Sequence, residues 1–191
     1  MNNKQLRHYI VLLTILFLAG CEGPEPRRPI GTKNLSSIQA SVARGKALLA
    51  QEEKRMLEII TIDSLHHYEH SASGSWYYYQ TKNDRGDYTP LPDDLVTLTY
   101  NIVGFENDTI YTQEEIGVLQ YKVDKQELFP GMRHSVKLLK EHETATFLYP
   151  SSMAFGYHGD GAKIGVNVPL KSTVTILKVE KQEDNADNQE N

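Results

Sequence analysis

The sequence predicts an α+β domain in which an antiparallel sheet surrounds one short helix, preceded by a helical extension. Between residues 76 and 179, short apolar or alternating segments are joined by turns rather than by helical crossovers, which favours antiparallel pairing. A short helical pattern follows Pro130 and Gly131. A much longer amphipathic pattern occupies residues 36–62.

Length, charge and cysteine content exclude several classes of protein. The chain has 191 residues, 39% of them hydrophobic, which suits one domain with extensions and argues against two full domains. Its formal net charge of −5 disfavours contact with a phosphate backbone, so we expect no nucleic-acid partner. Cys21 is the single cysteine, which excludes an intrachain disulfide and a cysteine-based metal site.

Residues 1–21 have the pattern of a lipoprotein signal. Lys4 and Arg7 precede an apolar run that is too short to span a bilayer but fits a signal-peptide core. The run ends in Leu-Ala-Gly-Cys, which resembles the bacterial lipobox, whose cysteine takes a diacylglycerol. We therefore expect residues 1–20 to be a signal peptide and Cys21 to be acylated, giving an envelope lipoprotein anchored in the outer membrane and facing the periplasm. The alternative is an accidental cysteine after an ordinary secretory signal.

The next segments predict a tether and a helix. Residues 21–35 are rich in proline and glycine, which disfavours regular structure. Residues 36–69 form the predicted N-terminal helical segment, which begins with a possible capping box at Ser36 and Gln39. The helix could pack on its own domain, form a dimer, or join a larger envelope complex. Its apolar face contains Ile38, Val42, Leu49, Met56 and Ile60, widened by Leu48 and Ile59.

Three histidines, at positions 66, 67 and 70, follow the helical pattern. His66 and His70 have a spacing that could hold a metal ion, but no glutamate follows in the metalloprotease pattern. We favour an exposed or helix-ending role for them, and we expect neither a metal nor a cofactor.

Residues 70–180 contain the predicted domain, and residues 181–191 the predicted disordered acidic tail. Alternation in residues 95–103 predicts one long strand whose inward set is Val96, Leu98 and Tyr100, or its complement. Residues 132–139 are predicted to form the short helix. Residues 144–149 should form a strand with one buried face. Further strands are predicted at 76–80, 110–111, 118–123 and 174–179, with a glycine-rich loop from 156 to 165.

The order of motifs from Leu128 to Val179 resembles the FK506-binding-protein (FKBP) type of peptidyl-prolyl isomerase. These motifs are the apolar pair before Pro-Gly, the short helix, a Pro-Ser-x-x-Ala-aromatic-Gly turn, the glycine-rich loop and the strand after Pro169. With the lipobox, tether and Trp-Tyr-Tyr-Tyr strand, the chain resembles the gliding-motility-associated FKBP-type lipoproteins of the Bacteroidetes. The resemblance implies a curled sheet and a membrane-anchored isomerase that helps proline-containing envelope or secreted polypeptides to fold.

The resemblance also implies the site residues. In the family an aromatic cage holds the proline ring, and a backbone N–H holds the substrate carbonyl, without a metal or a covalent intermediate. Phe129 would supply that N–H. The matching positions are Tyr100, Ile110, Tyr111, Leu119, Leu128, Phe129, Met132, Phe155, Ile164 and Val168.

The chain departs from the family pattern at five positions. Met132 stands in place of a tryptophan, Ile110 and Ser172 in place of phenylalanines, Tyr111 in place of an aspartate, and Phe155 in place of a tyrosine. Lost aromatic area and hydrogen bonds should weaken the pocket, so we expect reduced activity. The competing hypothesis is a non-catalytic binding or assembly module in an envelope complex.

Overall fold

The structure is a computed structural model that describes Gln5 and residues 35–182. The predicted signal peptide, Cys21, almost all of the tether and the tail from residue 183 onward lie outside the described residues. The contacts divide the chain into two units, residues 1–41 and 42–191. In the first unit, beyond Gln5, the described part is the beginning of one helix. No helix in the described part is long and apolar enough to cross a membrane.

The described elements are three α-helices, eight strands and one 3₁₀ turn. The helices are α1 (Leu35–Ile62), α2 (Gln113–Ile116) and α3 (Pro130–Val136), and the 3₁₀ turn covers Ser151–Met153. The strands are β1 (Glu69–His70), β2 (Trp76–Thr81), β3 (Leu95–Tyr100), β4 (Ile102–Gly104), β5 (Thr109–Tyr111), β6 (Leu119–Lys122), β7 (Thr144–Tyr149) and β8 (Leu170–Glu180).

Helix α1 ends at Ile62, before the end of the predicted helical segment 36–69. The carboxylate of Asp63 accepts hydrogen bonds from the Leu65 N–H and the Tyr68 hydroxyl, and this local pairing replaces a further helical turn. The same carboxylate lies 2.8 Å from the ring of His66, which stacks on Tyr78. His70 instead packs against Trp76, so the two histidines have separate partners. Residues 35–182 contain no group of three His, Cys, Asp or Glu side chains that could hold a metal ion.

The strands form one sheet in the order β1-β2-β7-β8-β3-β6, with β4 pairing to β5 and β8, and every pair is antiparallel. This confirms the predicted α+β class. Register shifts in the β2–β7, β3–β8 and β4–β5 pairs bend and twist the sheet. The prediction of one strand over residues 95–103 was wrong, because Asn101 interrupts it. The Asn101 side chain accepts a hydrogen bond from the Thr173 N–H in place of a ladder bond.

Both faces of β7 are buried, whereas the sequence predicted only one. Ala145, Phe147 and Tyr149 belong to the main core, as do Val96 and Leu98 of β3. Tyr100, the third member of the predicted inward set, is only partly buried against that core. Thr146 and Leu148 point to the other face and are also buried. Helix α1 covers that face: its Met56 is fully buried, and the Glu52 carboxylate accepts a hydrogen bond from the Ser151 N–H just after β7.

Helix α3 begins at Pro130 and ends at Val136, so the predicted bounds of 132–139 were wrong at both ends. Proline is favoured at the first helical position because it has no N–H to leave unpaired. At the other end, the N–H groups of Lys137 and Leu138 bond three residues back and close the helix in a tight turn. Leu139, predicted within the helix, is still part of the core.

Helix α3 approaches β7 so closely that residue 131 has no room for a side chain. A Cβ at Gly131 would lie 2.5 Å from Cδ1 of Tyr149 and 2.8 Å from the carbonyl oxygen of Met153. Ser135, one turn later, shares a 2.6 Å hydrogen bond with the Tyr149 hydroxyl. The helix is therefore fixed to the strand by a close contact and a buried hydrogen bond.

We predict that Gly131→Ala lowers the free energy of unfolding by about 1–3 kcal/mol, because the methyl group overpacks the contact with Tyr149. Gly45→Ala is the matched control, since Gly45 lies in α1 with nothing within 4 Å of the added Cβ. It should raise the free energy of unfolding by about 1 kcal/mol through helix propensity. Urea denaturation followed by circular dichroism measures both values, and an unchanged stability of Gly131→Ala would contradict the close contact.

Candidate functional site

A cavity of about 560 Å³ opens between α3 and the segment that follows β7. Its walls are largely apolar, with one acidic and one basic side chain among them. The apolar lining consists of Tyr100, Leu128, Phe129, Pro130, Ala154 and Phe155, and the charged lining of Glu127 and Arg133. A concave, mainly apolar site with few polar groups is typical of a binding site for an apolar ligand group.

Phe129 links the cavity to the core. Its ring centroid lies 5.2 Å from that of Phe155 and 5.5 Å from that of Tyr149. The arrangement with Tyr149 is edge to face, which aromatic rings favour. Phe129 is only 9% exposed, whereas Phe155 is partly exposed at the cavity. The two rings therefore form a wall that is rigid at Phe129 and accessible at Phe155.

The backbone N–H of Phe129 makes no hydrogen bond within the part of the chain that the structure describes. The carbonyl of the same residue is used, since it accepts a 3.2 Å bond from the Arg133 N–H. Pro130, the next residue, has no N–H of its own. Phe129, the residue at which the resemblance implies a donor, thus lines the cavity and has a backbone N–H without a protein partner in the described residues.

Tyr100, which also lines the cavity, carries a phenolic hydroxyl. Burial raises the pKa of Tyr100, so its phenol remains neutral near pH 7. A neutral phenol can donate a hydrogen bond without placing a charge beside the apolar walls.

Two of the positions at which the sequence departs from the family that it resembles are in the interior. Met132 is fully buried, and Ser172 is fully buried opposite Phe147 in the β7–β8 pair. The Ser172 hydroxyl has no hydrogen-bond partner among the described residues. A buried hydroxyl without a partner is costly, so Ser172 lowers the stability of the core.

The loop between β7 and β8 is joined to β5 through Asp160. One carboxylate oxygen of Asp160 accepts a 2.6 Å hydrogen bond from the Tyr111 hydroxyl, and the other accepts bonds from the N–H groups of Ala162 and Ile164. Lys163 lies 4.6 Å from the centre of the Tyr111 ring and pairs with Glu115 of α2. These contacts fix the part of the loop that carries Ile164.

The same contacts shift two pKa values. Burial opposes the shift at Asp160, but hydrogen bonds from Tyr111, Ala162 and Ile164 lower the pKa of Asp160 below the usual aspartate value. The hydrogen bond to Asp160 raises the pKa of Tyr111. At neutral pH the pair is therefore a charged acceptor and a neutral donor.

All ten predicted site residues belong to, or pack against, one hydrophobic core. Phe129, Met132 and Ile164 are buried in it, and the other seven are partly buried against it. Only Tyr100, Leu128, Phe129 and Phe155 line the cavity. The sequence did not predict the other four lining residues, Glu127, Pro130, Ala154 and Arg133. Arg133 follows Phe129 by four residues, and this helical spacing was the sequence feature that could have placed Arg133 on the same side of the helix.

A second cavity, of about 440 Å³, lies between the end of α1 and the outer face of the sheet. Its polar groups are already paired. Arg55 contacts Glu106, the Lys171 amine contacts Asn107, and Asp63 accepts the Tyr68 hydroxyl. This cavity therefore has fewer unpaired polar groups for a ligand to bind than the cavity beside α3.

Comparison with known proteins supports the resemblance to FKBP-type isomerases. The chain is 33% identical over 109 residues to a protein of Neisseria meningitidis serogroup B (strain ATCC BAA-335 / MC58), described as a probable FKBP-type peptidyl-prolyl cis-trans isomerase FkpA. That match covers 57% of this chain and only 39% of the relative's length. No protein-family model matches the chain.

Solved structures show the same fold at lower sequence identity. A peptidyl-prolyl cis-trans isomerase from Pseudomonas syringae pv. tomato str. DC3000 matches with a TM-score of 0.57 at 16% identity, covering 71% of this chain and 96% of that one. FkpA from Escherichia coli matches with a TM-score of 0.56 at 18% identity, covering 94% of this chain and 83% of that one. These likenesses confirm the FKBP-like fold with its N-terminal helix.

We predict that Tyr111→Phe loosens the loop between β7 and β8. Loss of one hydrogen bond to Asp160 should lower the hydrogen-exchange protection of the Ala162 and Ile164 N–H groups about fivefold at pH 6. Tyr157→Phe is the matched control, because Tyr157 lies in the same loop but is 76% exposed. Equal protection in Tyr111→Phe and wild type would show that the hydroxyl does not fix the loop.

The wild-type loop should also respond to acid. Because the folded-state pKa of Asp160 is lowered, its carboxylate stabilises the loop above about pH 3.9, the ordinary aspartate value. This stabilisation is lost as the pH falls through the lower folded-state value. The difference in protection between wild type and Tyr111→Phe should therefore narrow below about pH 3.9.

Proposed function

We propose that the chain is a peptidyl-prolyl cis-trans isomerase that assists the folding of proline-containing envelope or secreted polypeptides. The observation that carries this proposal is the apolar cavity beside α3, with the unpaired Phe129 N–H at its edge. The relatives in sequence and in fold support the same activity, since both are named as peptidyl-prolyl isomerases.

The cavity is suited to the physical demands of imide rotation. Rotation about the peptide bond must overcome a barrier of about 18–20 kcal/mol, because it breaks the resonance of the amide. The twisted form has lost that resonance and is less polar, so apolar walls such as Leu128 and Phe155 stabilise it relative to the planar form. The Phe129 N–H would hold the carbonyl of the bound peptide while the imide turns. This chemistry requires no metal, cofactor or nucleophile.

The departures from the family pattern bear on the rate rather than on the type of reaction. Phe155 lines the cavity and lacks the hydroxyl of the tyrosine that the resemblance implies at this position, so a bound peptide loses one hydrogen bond. Met132 is fully buried and does not line the cavity, so it acts only through the core behind the cavity wall. We therefore propose a weaker isomerase, and a non-catalytic binding module is the alternative that the assay below separates from it.

We further propose that the protein is attached to the outer membrane through an acylated Cys21 and faces the periplasm. The support is the lipobox-like sequence Leu-Ala-Gly-Cys. A role for α1 in a dimer or a larger envelope complex is supported by Val42, which is 52% exposed on the helix. A contribution to gliding machinery rests on the subfamily resemblance alone.

We predict that Phe155→Ala lowers kcat/KM for a proline tetrapeptide about tenfold, because it removes an accessible apolar wall. Phe155→Tyr should raise kcat/KM, since the added hydroxyl supplies a hydrogen bond to the bound peptide. Phe155 is a better probe than Phe129, whose burial in the core would mix folding with activity. A protease-free isomerisation assay measures all three proteins.

Tyr157→Ala is the control for this series, because it removes an exposed aromatic residue two positions away. Its kcat/KM should equal that of wild type. If folded wild type and Phe155→Tyr both fail to exceed the uncatalysed rate, the isomerase proposal is wrong. Binding of a proline peptide in the absence of turnover would then favour the binding module.

For the anchor, we predict that Cys21→Ala prevents lipid attachment and leaves an unprocessed or soluble protein. The measurement is membrane fractionation together with metabolic labelling by a fatty acid. Cys21→Ser tests the same thiol with a smaller change in polarity. Normal processing and membrane retention of either variant would refute acylation at Cys21.

A further inference from the structure

Arg133 is a charged residue of the cavity lining, and the proposed isomerisation mechanism gives it no role. It lies on α3, and its N–H bonds the carbonyl of Phe129, which places it one helical turn beyond the unpaired Phe129 N–H. The residue is partly buried. Its guanidinium makes neither an ion pair nor a hydrogen bond with any residue in the range 35–182.

The neighbouring charged residues show that this guanidinium is not held by the protein. Glu127, the other charged residue of the cavity lining, is exposed and does not pair with Arg133. The carboxylate of Asp124 is paired with Lys137, one helical turn after Arg133, at 2.6 Å. A partly buried cation without a counter-ion beside apolar walls has lost hydration and has gained no protein partner in return.

Helix geometry brings the guanidinium towards the site of the bound peptide. Long side chains on a helix lean towards its N-terminus, which agrees with Arg133 lining the cavity together with Phe129 and Pro130. A proline held against Phe129 and Phe155 would therefore have its neighbouring residue within reach of Arg133. The planar guanidinium can bind both oxygens of a carboxylate, and apolar surroundings strengthen that pairing.

We propose that Arg133 makes the site selective for prolines with an acidic neighbour, namely aspartate or glutamate next to the proline. Glu127 acts in the opposite direction and limits the size of the preference. This inference rests on the proposed function only in taking the cavity beside α3 as the peptide-binding site. It does not depend on turnover.

The test measures binding of fluorescent proline peptides by anisotropy, separately from isomerisation. The peptides carry Glu, Gln or Lys on one side of the proline and Ala on the other, in both orders. With wild type at low salt, the Glu peptide in at least one order should bind about fivefold more tightly than its Gln counterpart. Added salt should reduce this ratio.

Variants assign the effect to the guanidinium. Arg133→Gln should bring the Glu-to-Gln ratio close to one, Arg133→Lys should keep part of it, and Glu127→Gln should increase it. Arg133→Glu should favour the Lys peptide over the Gln peptide. Arg85→Gln is the matched control, because it removes an exposed arginine that does not line the cavity, and it should leave the ratio unchanged.

The outcomes separate this inference from the proposed function. A wild-type ratio near one in both orders, or an unchanged ratio in folded Arg133→Gln, would overturn the acidic preference even if the protein isomerises proline peptides. A ratio that depends on Arg133 would support the preference even if no isomerisation is detected. Circular dichroism of each variant establishes that it is folded before its ratio is compared.

Discussion

The close packing of α3 on β7 is the constraint from which the geometry of the cavity follows. Gly131 leaves no atoms between the helix backbone and the Tyr149 ring, and Ser135 bonds the hydroxyl of the same tyrosine. With the helix held at that distance, Phe129, the residue just before the helix, lies edge to face with Tyr149. Its N–H then has no acceptor in the described part of the protein. A larger residue at position 131 would displace the cavity wall and the donor together.

The end of β7 is also connected to helix α1, which lies on the opposite face of the sheet. Glu52 of α1 is 6% exposed and accepts the Ser151 N–H, at the start of the turn that leads to Phe155. The other oxygen of this carboxylate is buried without a partner among the described residues. A polar group would not be retained there for hydrophobic packing alone, since its desolvation is unfavourable. The hydrogen bond instead ties α1 to the backbone that carries the accessible wall of the cavity.

Hydrophobic periodicity predicted most of the fold, because helices and strands repeat their apolar residues at different intervals. It could not predict the break at Asn101, which depends on a hydrogen bond to Thr173, 72 residues away in the chain. Nor could it predict the burial of Thr146, whose side chain bonds Gln80 and Thr173 of the two neighbouring strands. The family resemblance located the core around the site, but the cavity lining was only partly predictable. Arg133 reaches the cavity through the bounds and orientation of α3, which composition alone does not determine.

Tyr111 stands where the sequence resemblance implies an aspartate, and its surroundings decide which polar groups a ligand can contact there. A carboxylate is still present near that position, but it comes from Asp160 in the loop, and both of its oxygens already accept hydrogen bonds. The Asp160 carboxylate therefore holds the loop in place and is not free to accept a hydrogen bond from a ligand. The donors available on the cavity lining are the Phe129 N–H, the neutral Tyr100 hydroxyl and the Arg133 guanidinium. Imide rotation needs neither a base nor a nucleophile, so a site reduced to apolar walls and a few donors still meets the requirements of the proposed reaction.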